Sequence, residues 1–477
     1  MELGRSPRLE DVRAKLRAAG QEHVLKFYAE LDAAAQRDLL TQALALPLER
    51  LEQLVDRYVR SKESFTLPPD LEPAPYYRRD GKGWDRAGAR ALGEELLRAG
   101  KIAAFTVAGG QGTRLGFDGP KGTFFATALT GKPLFRCLAE WILAASRRYG
   151  RAVPWYIMTS PLNHEETVAF FRHHAYFGLA ERDVMFFSQG VLPSLDMATG
   201  KLLLAEKGVI ATNPDGHGGS LRALFASGAI DDMRARGVEH LSYVQIDNPL
   251  ARVVDPVFIG LHAGAADSSG QMSSKMVEKT DAGEKVGLFC RSGGKTLVVE
   301  YSDMPRAQTE ARAPSGSLRF NAGSIAIHMI SVEFVAELNR GGALSLPLHR
   351  AEKKVPHVDL ETGRTVQPSA PNAVKLEAFV FDALPLCRGS IVMETERIDE
   401  FAPIKNAEGG DSPATCRAIQ TERAARWLEA AGVKIPRDDS GRALCTIELS
   451  PLTAMDPEDL RRVSLPRALE RGAELVL

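Results

Sequence analysis

The chain has no excess of charge of either sign. Its 477 residues carry 60 Lys and Arg against 61 Asp and Glu, which gives a formal net charge of −1. Proteins that bind nucleic acids or anionic membranes in general carry a basic surplus. The composition therefore argues against both classes of partner. Any phosphate ligand must instead be held by a local cluster of positive side chains.

Cysteine pairs and long apolar runs are also missing. The five cysteines are scattered, and no two of them have C-x-x-C spacing. An odd, dispersed set is typical of reduced thiols in the cytoplasm and not of a disulfide framework or a zinc site. No apolar run reaches the roughly 20 residues of a membrane-spanning helix. The charged amino terminus has no apolar signal core, so we expect a cytoplasmic protein without membrane contact.

Several common catalytic signatures are absent as well. The sequence contains no Walker A string and no G-x-G-x-x-G fingerprint, because the third glycine after Gly110 and Gly112 would fall at Leu115. It also contains no G-x-S-x-G and no H-E-x-x-H string. A P-loop kinase is therefore excluded, and no serine or zinc hydrolase is indicated.

What the sequence does contain is a glycine-rich loop behind a short apolar run. The run Ile102–Val107 predicts a buried strand, and the string AGGQGTRLGFDGPKG follows it. Glycines let main-chain N–H groups approach a ligand without a Cβ in the way. Together with Arg114 and Lys121 they predict a polyphosphate site. The alternative is a plain turn between a strand and a helix.

Strands and helices alternate between about residues 95 and 385, which predicts a mainly parallel α/β sheet. The clearest predicted elements are a helix over Pro133–Tyr149 and strands over Ile102–Val107, Trp155–Thr159, Val184–Phe187 and Leu241–Ile246. Past residue 270, alternating segments separated by turns predict an antiparallel hairpin. Ligands of such sheets bind beyond the carboxyl ends of strands, where Gln189 and Asp247 fall.

Two helix starts are predicted from local patterns. Asn163, followed three residues later by Glu166, has the pattern of a capping box. Lys375 precedes a predicted helix over Leu376–Leu384.

Two polar strings are candidates for ligand contacts. PDGHGGS, from Pro214, opens a predicted helix over Leu221–Ala226, and backbone donors at a helix start suit a base, phosphate or sugar. The alternative is a tight loop capped by Asp215. Asp247 follows an apolar strand, where a carboxylate is a natural Mg²⁺ ligand; the alternative is a turn-forming Asp-Asn-Pro.

Nine strings in one order resemble the eukaryotic-type UDP-N-acetylglucosamine pyrophosphorylases, within the wider UDP-sugar pyrophosphorylase family. They are VAGGQGTRLGFDGPKG, FFSQGVLP, NPDGHGGSLRAL, VQIDNPL, VVEYSDM, RFNAGSIAIH, VKLEAFVFD, DEFAPIKNAEG and ELSPL. The resemblance covers roughly residues 95–455. It implies a Rossmann-like nucleotidyltransferase (GT-A-like) mixed sheet with an N-terminal helical region and a small C-terminal α+β domain. We expect these three domains at residues 1–90, 91–385 and 386–477.

The resemblance implies a uridylyltransferase that converts UTP and a sugar 1-phosphate to a UDP-sugar and pyrophosphate, with Mg²⁺ or Mn²⁺ and as a monomer. N-acetylglucosamine 1-phosphate is the first choice of sugar. A UDP-glucose, UDP-galactose or broad-specificity UDP-sugar pyrophosphorylase is the alternative. A sensor that binds UDP-sugar without turnover is an alternative of another class.

Carried over by position, the resemblance also implies the site residues. The nucleotide is contacted by Val107, Ala108, Gly109, Gly110, Gly112, Thr113, Lys121, Gln189, Gly216, Asp247 and Lys375. Of these, Gln189 and Gly216 read the uracil. The sugar is contacted by His217, Glu300, Tyr301, Asn321 and Lys405. Catalysis falls to Arg114, Lys121 and Lys405, and Asp247 holds the metal ion.

The chain departs from the N-acetylglucosamine type at three positions near the sugar. His217 stands where that branch usually has Asn, and a Gly-His-Gly arrangement looks more like the UDP-glucose and broad-specificity branches. Ser324 and Ile327 replace expected Asn residues. The uridylyl-transfer prediction is unaffected, while the identity of the sugar is left open.

Overall fold

The structure is a computed structural model that describes residues 8–62, 65–341 and 346–477. The chain divides into two compact units. The first unit, so far as it is described, comprises Met1–Thr66, Gly190–Gly219 and Ser345–Val380. The second unit comprises Leu67–Gln189, Ser220–Leu344 and Phe381–Leu477. This grouping differs from the three predicted domains, whose boundaries stay a prediction.

The helices and strands are numbered here in chain order. The helices are α1 (Leu9–Ala18), α2 (Ala33–Ala45), α3 (Leu51–Leu54), α4 (Arg86–Arg98), α5 (Leu134–Tyr149), α6 (His164–His173), α7 (Gly219–Ala226), α8 (Ala229–Ala235), α9 (Pro256–Gly264), α10 (Arg306–Thr309), α11 (Val332–Asn339), α12 (Arg397–Glu400) and α13 (Pro413–Ala430). The strands up to residue 214 are β1 (Glu72–Pro73), β2 (Ile102–Val107), β3 (Trp155–Thr159), β4 (Val184–Ser188), β5 (Val191–Pro193), β6 (Leu195–Asp196), β7 (Leu204–Glu206), β8 (Val209–Ile210) and β9 (Thr212–Pro214). The later strands are β10 (His240–Gln245), β11 (Met272–Glu278), β12 (Leu288–Ser292), β13 (Lys295–Val299), β14 (Ala322–Ser331), β15 (Leu348–Lys353), β16 (His357–Val358), β17 (Thr365–Val366), β18 (Ala373–Ala378), β19 (Val392–Glu394), β20 (Thr446–Glu448) and β21 (Glu474–Val476).

In the first unit, the N-terminal helices share an apolar core with strands that come much later in the chain. Val12 and Leu16 of α1 are fully buried in one cluster with Leu195 of β6 and Leu376 of β18. The short sheet of this unit has the order β15-β18-β6, and its pairs are antiparallel. The helices therefore do not form a core by themselves, which is why the compact unit includes residues from three parts of the chain.

The second unit is built on a large mixed sheet with the order β1-β12-β14-β10-β2-β3-β4. The pairs of β2 with β10 and β3, and of β3 with β4, are parallel. The pairs of β14 with β10 and β12 are antiparallel. The prediction of a mixed sheet is confirmed, and so is the antiparallel hairpin past residue 270, which is formed by β12 and β13.

Strand β2 lies at the centre of that sheet and leads into the predicted phosphate loop. Phe105 is fully buried, and Ile102 is 1% exposed. Helix α5 contributes Leu138 and Trp141 to the core cluster that contains Ile102. Because both faces of β2 are covered, its apolar run is continuous instead of alternating. That is why a sequence pattern alone located this strand correctly.

One predicted helix is wrong. Residues Leu376–Leu384 were expected to be helical, but Ala373–Ala378 form β18 and a 3₁₀ helix spans Val380–Leu386. Lys375 therefore lies inside a strand. Leu and Ala are good helix formers, but pairing with β15 and β6 overrides this local preference.

Two findings concern the cellular compartment and the membrane contact expected from the sequence. The five cysteines, 137, 290, 387, 416 and 445, are all free and buried. Within the described ranges, none of the helices combines the length and the apolar character needed to span a bilayer.

Candidate active site

The glycine-rich loop folds back on itself after β2. The N–H of Gly112 donates to the carbonyl of Gly119 at 3.0 Å, and the N–H of Lys121 donates to the carbonyl of Gly110 at 3.0 Å. Short 3₁₀ turns span Thr113–Leu115 and Lys121–Thr123. Because these bonds use the loop's own backbone, its shape is fixed before any ligand arrives.

Two neighbouring glycines in this loop have different surroundings. A Cβ on Gly109 would lie 2.9 Å from Oε1 of Gln189, so the Gln189 side chain lies directly against this position. The main chain of Gln189 is held by a 2.9 Å hydrogen bond to the carbonyl of Thr159. A Cβ on Gly110 would have no atom within 4 Å. The loop therefore presents open space beside the Gln189 carboxamide.

Two other glycines are required by close packing. A Cβ on Gly112 would lie 2.6 Å from a ring carbon of Phe117. A Cβ on Gly122 would lie 2.1 Å from the ring of Phe135 in α5. Since real Cβ atoms do not approach so closely, both positions require glycine, and the turn that carries Lys121 is seated on α5.

Asn163 also holds the loop, through hydrogen bonds to its main chain. The sequence did not predict this role. Its side chain is fully buried. Nδ2 donates to the carbonyls of Ala108 at 3.0 Å and Gly110 at 3.3 Å, and Oδ1 accepts from the N–H of Ser160 at 2.8 Å. The predicted capping box with Glu166 is wrong, because the Asn163 side chain makes no capping bond to α6. Its carboxamide is already committed to the loop.

The two cationic side chains of the loop are available to a ligand. Arg114 is exposed and Lys121 is partly exposed. Neither side chain has an ion pair or hydrogen bond within the part of the chain that the structure describes. Positive charge beside a fixed array of backbone donors is the arrangement that a polyphosphate requires.

Asp247 and Lys405 are brought together by the main chain. The N–H of Ile246, just past β10, donates to the carbonyl of Val107 at 3.1 Å, which places Asp247 at the end of β2. The N–H of Ile404 donates to the carbonyl of Asp247 at 2.8 Å. Lys405 is the next residue. The predicted metal-binding carboxylate and the predicted catalytic lysine therefore lie on adjoining backbone.

Among the described residues, the Lys405 ammonium has two weak partners. Its Nζ lies 3.5 Å from the Asp411 carboxylate, and the two side chains are 39% and 42% exposed. It also lies 5.5 Å from the centre of the Phe401 ring. Exposed ion pairs contribute little, so this lysine can turn to an anionic substrate at low cost.

Asp247 is the only predicted metal ligand. Its carboxylate makes no hydrogen bond or ion pair to another described residue, and it is partly exposed. No group of three or more His, Cys, Asp or Glu side chains that could hold a metal ion occurs among the described residues. Mg²⁺ commonly takes one or two carboxylates and completes its shell with phosphate oxygens and water. Asp247 fits a site of that kind.

Three predicted sugar residues of the second unit, Glu300, Tyr301 and Asn321, lie next to the ends of β13 and β14. The Glu300 carboxylate lies against Gly287, whose Cβ would be 2.9 Å from Oε1, and the carbonyl of Gly287 accepts a 2.8 Å bond from Ser324. Asn321 donates from Nδ2 to Glu278 at 3.2 Å. Tyr301 is 43% exposed. Glu300 and Ser324 are thus close together, while Tyr301 is directed largely to solvent.

In the first unit, the predicted loop residue Gly216 lies at the end of β18. Gly216 has a φ of 85°, and a Cβ there would lie 2.4 Å from the carbonyl oxygen of Ala378. The N–H of Gly218 donates to that carbonyl, and the N–H of Ala378 donates to the carbonyl of Asp215, both at 2.8 Å. Lys375 lies three residues earlier in the same strand. The structure therefore brings Gly216 and the strand of Lys375 together.

His217 is held as a neutral imidazole in the same loop. Its ring stacks on Phe379 with centroids 5.1 Å apart and an angle of 13°. Nδ1 accepts the N–H of Val380 at 3.1 Å, so the ring proton is on Nε2. Burial, together with the charge of His349, lowers the pKa of His217 to about 4. At neutral pH, His217 is therefore uncharged.

Comparison with known proteins gives three findings. The family described as UTP–glucose-1-phosphate uridylyltransferase matches residues 87–410. The human UDP-N-acetylhexosamine pyrophosphorylase-like protein 1 is 36% identical over 94% of both chains, and the UDP-N-acetylglucosamine pyrophosphorylase of Saccharomyces cerevisiae is 33% identical over 87% of this chain and 90% of the other. The crystal structure of the Trypanosoma brucei uridine diphosphate N-acetylglucosamine pyrophosphorylase in complex with inhibitor matches all of this chain and 99% of its own, with a TM-score of 0.82 and 27% identity.

Proposed function

This chain belongs to the UTP–glucose-1-phosphate uridylyltransferase family, and from that membership we propose that it transfers the uridylyl group of UTP to a sugar 1-phosphate. The family resemblance predicted from the sequence is thereby confirmed. The proposed sugar is N-acetylglucosamine 1-phosphate, since relatives at 33–36% identity carry that sugar or N-acetylhexosamine in their names. The free buried thiols support a reducing, cytoplasmic setting, and the enzyme is proposed to act as a monomer.

The observation that carries the proposal is the loop after β2. It combines open space at Gly110 with the Gln189 carboxamide beside Gly109 and two cationic side chains that have no protein partner among the described residues. A carboxamide offers both a donor and an acceptor, which suits the edge of a uracil ring. The cations suit the triphosphate. The loop and the neighbouring Gln189 thus suit both the uracil and the triphosphate of UTP.

The chemistry requires positioning and charge stabilisation. An oxygen of the sugar 1-phosphate attacks the α-phosphorus of UTP and forms a new P–O bond. The bond between the α-phosphorus and the oxygen that bridges it to the β-phosphorus breaks, and pyrophosphate leaves with that oxygen. The attacking oxygen is already ionised at neutral pH, so no proton has to be removed. Lys121, Arg114 and Lys405 stabilise the negative charge on the transferring and leaving groups.

Asp247 is the residue that would hold a divalent cation. When bound, such an ion neutralises phosphate charge and aligns the triphosphate. Asp247 lies two residues past β10, and its main-chain carbonyl accepts from the N–H of Ile404, the residue before Lys405. A cation held by Asp247 would therefore be bound close in the chain to the segment that carries that lysine.

The first test is pyrophosphate release with UTP and Mg²⁺ against N-acetylglucosamine, N-acetylgalactosamine, glucose and galactose 1-phosphates. Preference for the N-acetyl sugars is the expected result. Preference for glucose or galactose 1-phosphate would overturn the proposed sugar and make His217 a specificity residue. No release with any of them, from folded protein that binds UTP, would favour a UDP-sugar sensor.

The site assignment is tested with Lys121→Ala and Asp247→Asn. Each variant should lose about 100-fold or more in kcat, because Lys121 stabilises the charge on the phosphates and Asp247 would hold the cation that does the same. Lys434→Ala is the matched control, since Lys434 is exposed in the C-terminal part of the second unit and has no proposed role. Melting temperatures show whether the folds are intact. Near-normal turnover in both site variants would contradict the assignment.

A further inference from the structure

The segment that carries Lys405 has no helix or strand of its own. It leaves α12 after Glu400 and runs through Phe401–Lys405 within the second unit. Loops of this kind are usually mobile, but a catalytic lysine must be placed accurately. The structure shows hydrogen bonds that hold the segment at three points, Glu400, Ala402 and Ile404.

The first anchor is a buried ion cluster at the start of the segment. The Lys275 side chain is fully buried, and its Nζ lies 2.6–2.7 Å from both carboxylate oxygens of Glu400 and 2.6 Å from Asp255. Thr395 donates to Glu400 at 2.7 Å. Burial opposes ionisation of Asp255, but the charges of Lys275 and Arg252 hold its pKa below its ordinary value. Glu400 therefore has little freedom to move.

The second anchor is the carboxamide of Asn248. This side chain is 4% exposed. Nδ2 donates to the main-chain carbonyl of Glu400 at 2.7 Å, and Oδ1 accepts from the N–H of Ala402 at 3.1 Å. One side chain thus binds the segment as a neighbouring strand would, with one donor and one acceptor. Only a carboxamide supplies both in this geometry.

The third anchor joins the segment to the proposed metal-binding residue. The N–H of Ile404 donates to the carbonyl of Asp247 at 2.8 Å. Asp247 is the residue before Asn248. The Asn248 side chain and the Asp247 carbonyl therefore hold successive points of the segment that carries Lys405.

We propose that Asn248 is a positioning residue that holds Lys405 at a fixed position relative to Asp247 for uridylyl transfer. The inference rests on the proposed function, because it needs both groups to act on the substrates' phosphates. Asn248 itself does not touch the reacting atoms. It acts through the main chain of the segment, so its contribution should vanish when the Lys405 side chain is absent.

A double-mutant cycle tests this dependence. Pyrophosphate release is measured for the full chain, Asn248→Ala, Lys405→Ala and the double variant. Asn248→Ala should lower kcat/KM for the sugar 1-phosphate by about 10- to 100-fold, since misplacing a catalytic group by about 1 Å can cost about 100-fold. In the Lys405→Ala background, Asn248→Ala should lower kcat/KM by about threefold or less, since the effects of coupled residues are not additive. An equal loss in both backgrounds would overturn the proposal.

Asn339→Ala is the matched control for loss of a buried carboxamide. Asn339 is also 4% exposed, and its Nδ2 donates to the carbonyls of Leu221 and Val335. It should lower the melting temperature as Asn248→Ala does while changing kcat/KM by less than about threefold. If Asn248→Ala does not fold, Asn248→Asp takes its place in the cycle, since it keeps the acceptor for Ala402, loses the donor to Glu400 and places a carboxylate oxygen opposite that carbonyl.

Hydrogen exchange separates this inference from the proposed function. In a peptide that covers residues 399–406, the amides should exchange faster in Asn248→Asp than in the unmodified chain, and the β2 amides should not change. Equal exchange in the segment would overturn the positioning role. An unmodified chain that releases no pyrophosphate would instead overturn the proposed function, and the exchange result would still stand.

Discussion

Two buried asparagines in the second unit connect the main chain of distant segments. Asn163 bonds to carbonyls 53 and 55 residues earlier, and Asn248 bonds to a carbonyl 152 residues later. Both hold a segment that the proposed mechanism uses: the first bonds to the glycine-rich loop and the second to the Lys405 segment. A buried carboxamide that satisfies backbone groups is costly to replace, because its partners are left without hydrogen bonds.

Asn163→Asp should weaken UTP binding. The change keeps the shape of the side chain, but it places a carboxylate oxygen opposite the carbonyls of Ala108 and Gly110. We expect the dissociation constant for UTP, measured by calorimetry, to rise about tenfold or more, equivalent to about 1.4 kcal/mol. Asn339→Asp is the control, because its Nδ2 also faces two carbonyls. If both variants bind UTP equally, Asn163 has no special role in the loop.

At this scale, the spacing of residues predicted chemistry for the contiguous loop. Strand ends and the family resemblance added residues such as Asp247 and Lys405, and the roles of two buried asparagines were missed. The loop glycines, Arg114 and Lys121 occur in one string, so their chemistry could be inferred from spacing. The local pattern around Asn163 predicted a helix cap, since nothing nearby shows that its carboxamide bonds to the loop. Asn248 attracted attention only as part of a turn. Such roles depend on contacts between segments that a local pattern does not contain.

At the scale of elements, the turn Lys121–Thr123 depends on α5. Gly122→Ala would force a Cβ into the Phe135 ring, where 2.1 Å is available. Either the turn or α5 must move, so we expect a loss of about 1–3 kcal/mol in the free energy of unfolding. Turnover should fall with it, because Lys121 moves with the turn. Chemical denaturation and pyrophosphate release measure the two effects.

Gly110→Ala is the informative counterpart of that variant. The added methyl group meets no protein atom within 4 Å, so the free energy of unfolding should change by less than about 0.5 kcal/mol. UTP binding should nevertheless weaken, because the methyl group enters the space proposed for the nucleotide. A stable variant that binds UTP normally would show that the nucleotide lies elsewhere.

Helices and strands were predicted well where the segment is completely buried. They were predicted poorly where pairing with distant strands determines the secondary structure. The bounds of β2 and β3 match the predicted strands, since both are continuous apolar runs. The predicted helix at Leu376–Leu384 failed because VKLEA is compatible with a helix when read alone. Its alternation of buried Val374 and Leu376 with the partly exposed Lys375 and Glu377 has the period of a strand. Six residues are too few for period alone to decide.

At the scale of the whole molecule, residues past 385 complete the core of the second unit. β19 pairs with β11, where Lys275 faces Met393, and Glu400 neutralises Lys275. A fragment of residues 1–385 would lose β19 and Glu400 and would leave the buried ammonium with Asp255 as its remaining carboxylate partner. Removing one partner from a buried ion cluster is strongly destabilising. We expect the second unit to lose its cooperative unfolding in this fragment, measured as a loss of hydrogen-exchange protection at the β2 amides. Protected β2 amides in the fragment would support the predicted domain boundary near residue 385.

Fold class, family and reaction could be predicted from the sequence because the ordered strings carry them. The grouping of the chain into two units could not. The apolar faces of α1 and α2 signal burial, but nothing in them indicates that their partners are strands near residues 195–210 and 374–376. An apolar face specifies that it must be covered and leaves open which later segment covers it.

The buried ammonium of Lys275 also has a consequence for the order of events during synthesis. Glu400 is made 125 residues after Lys275, an interval of about 6–25 seconds at ribosomal rates of about 5–20 residues per second. Until Glu400 emerges, β11 cannot be enclosed without trapping an incompletely neutralised charge. We therefore expect the sheet around β11 to close only after Glu400 has been translated.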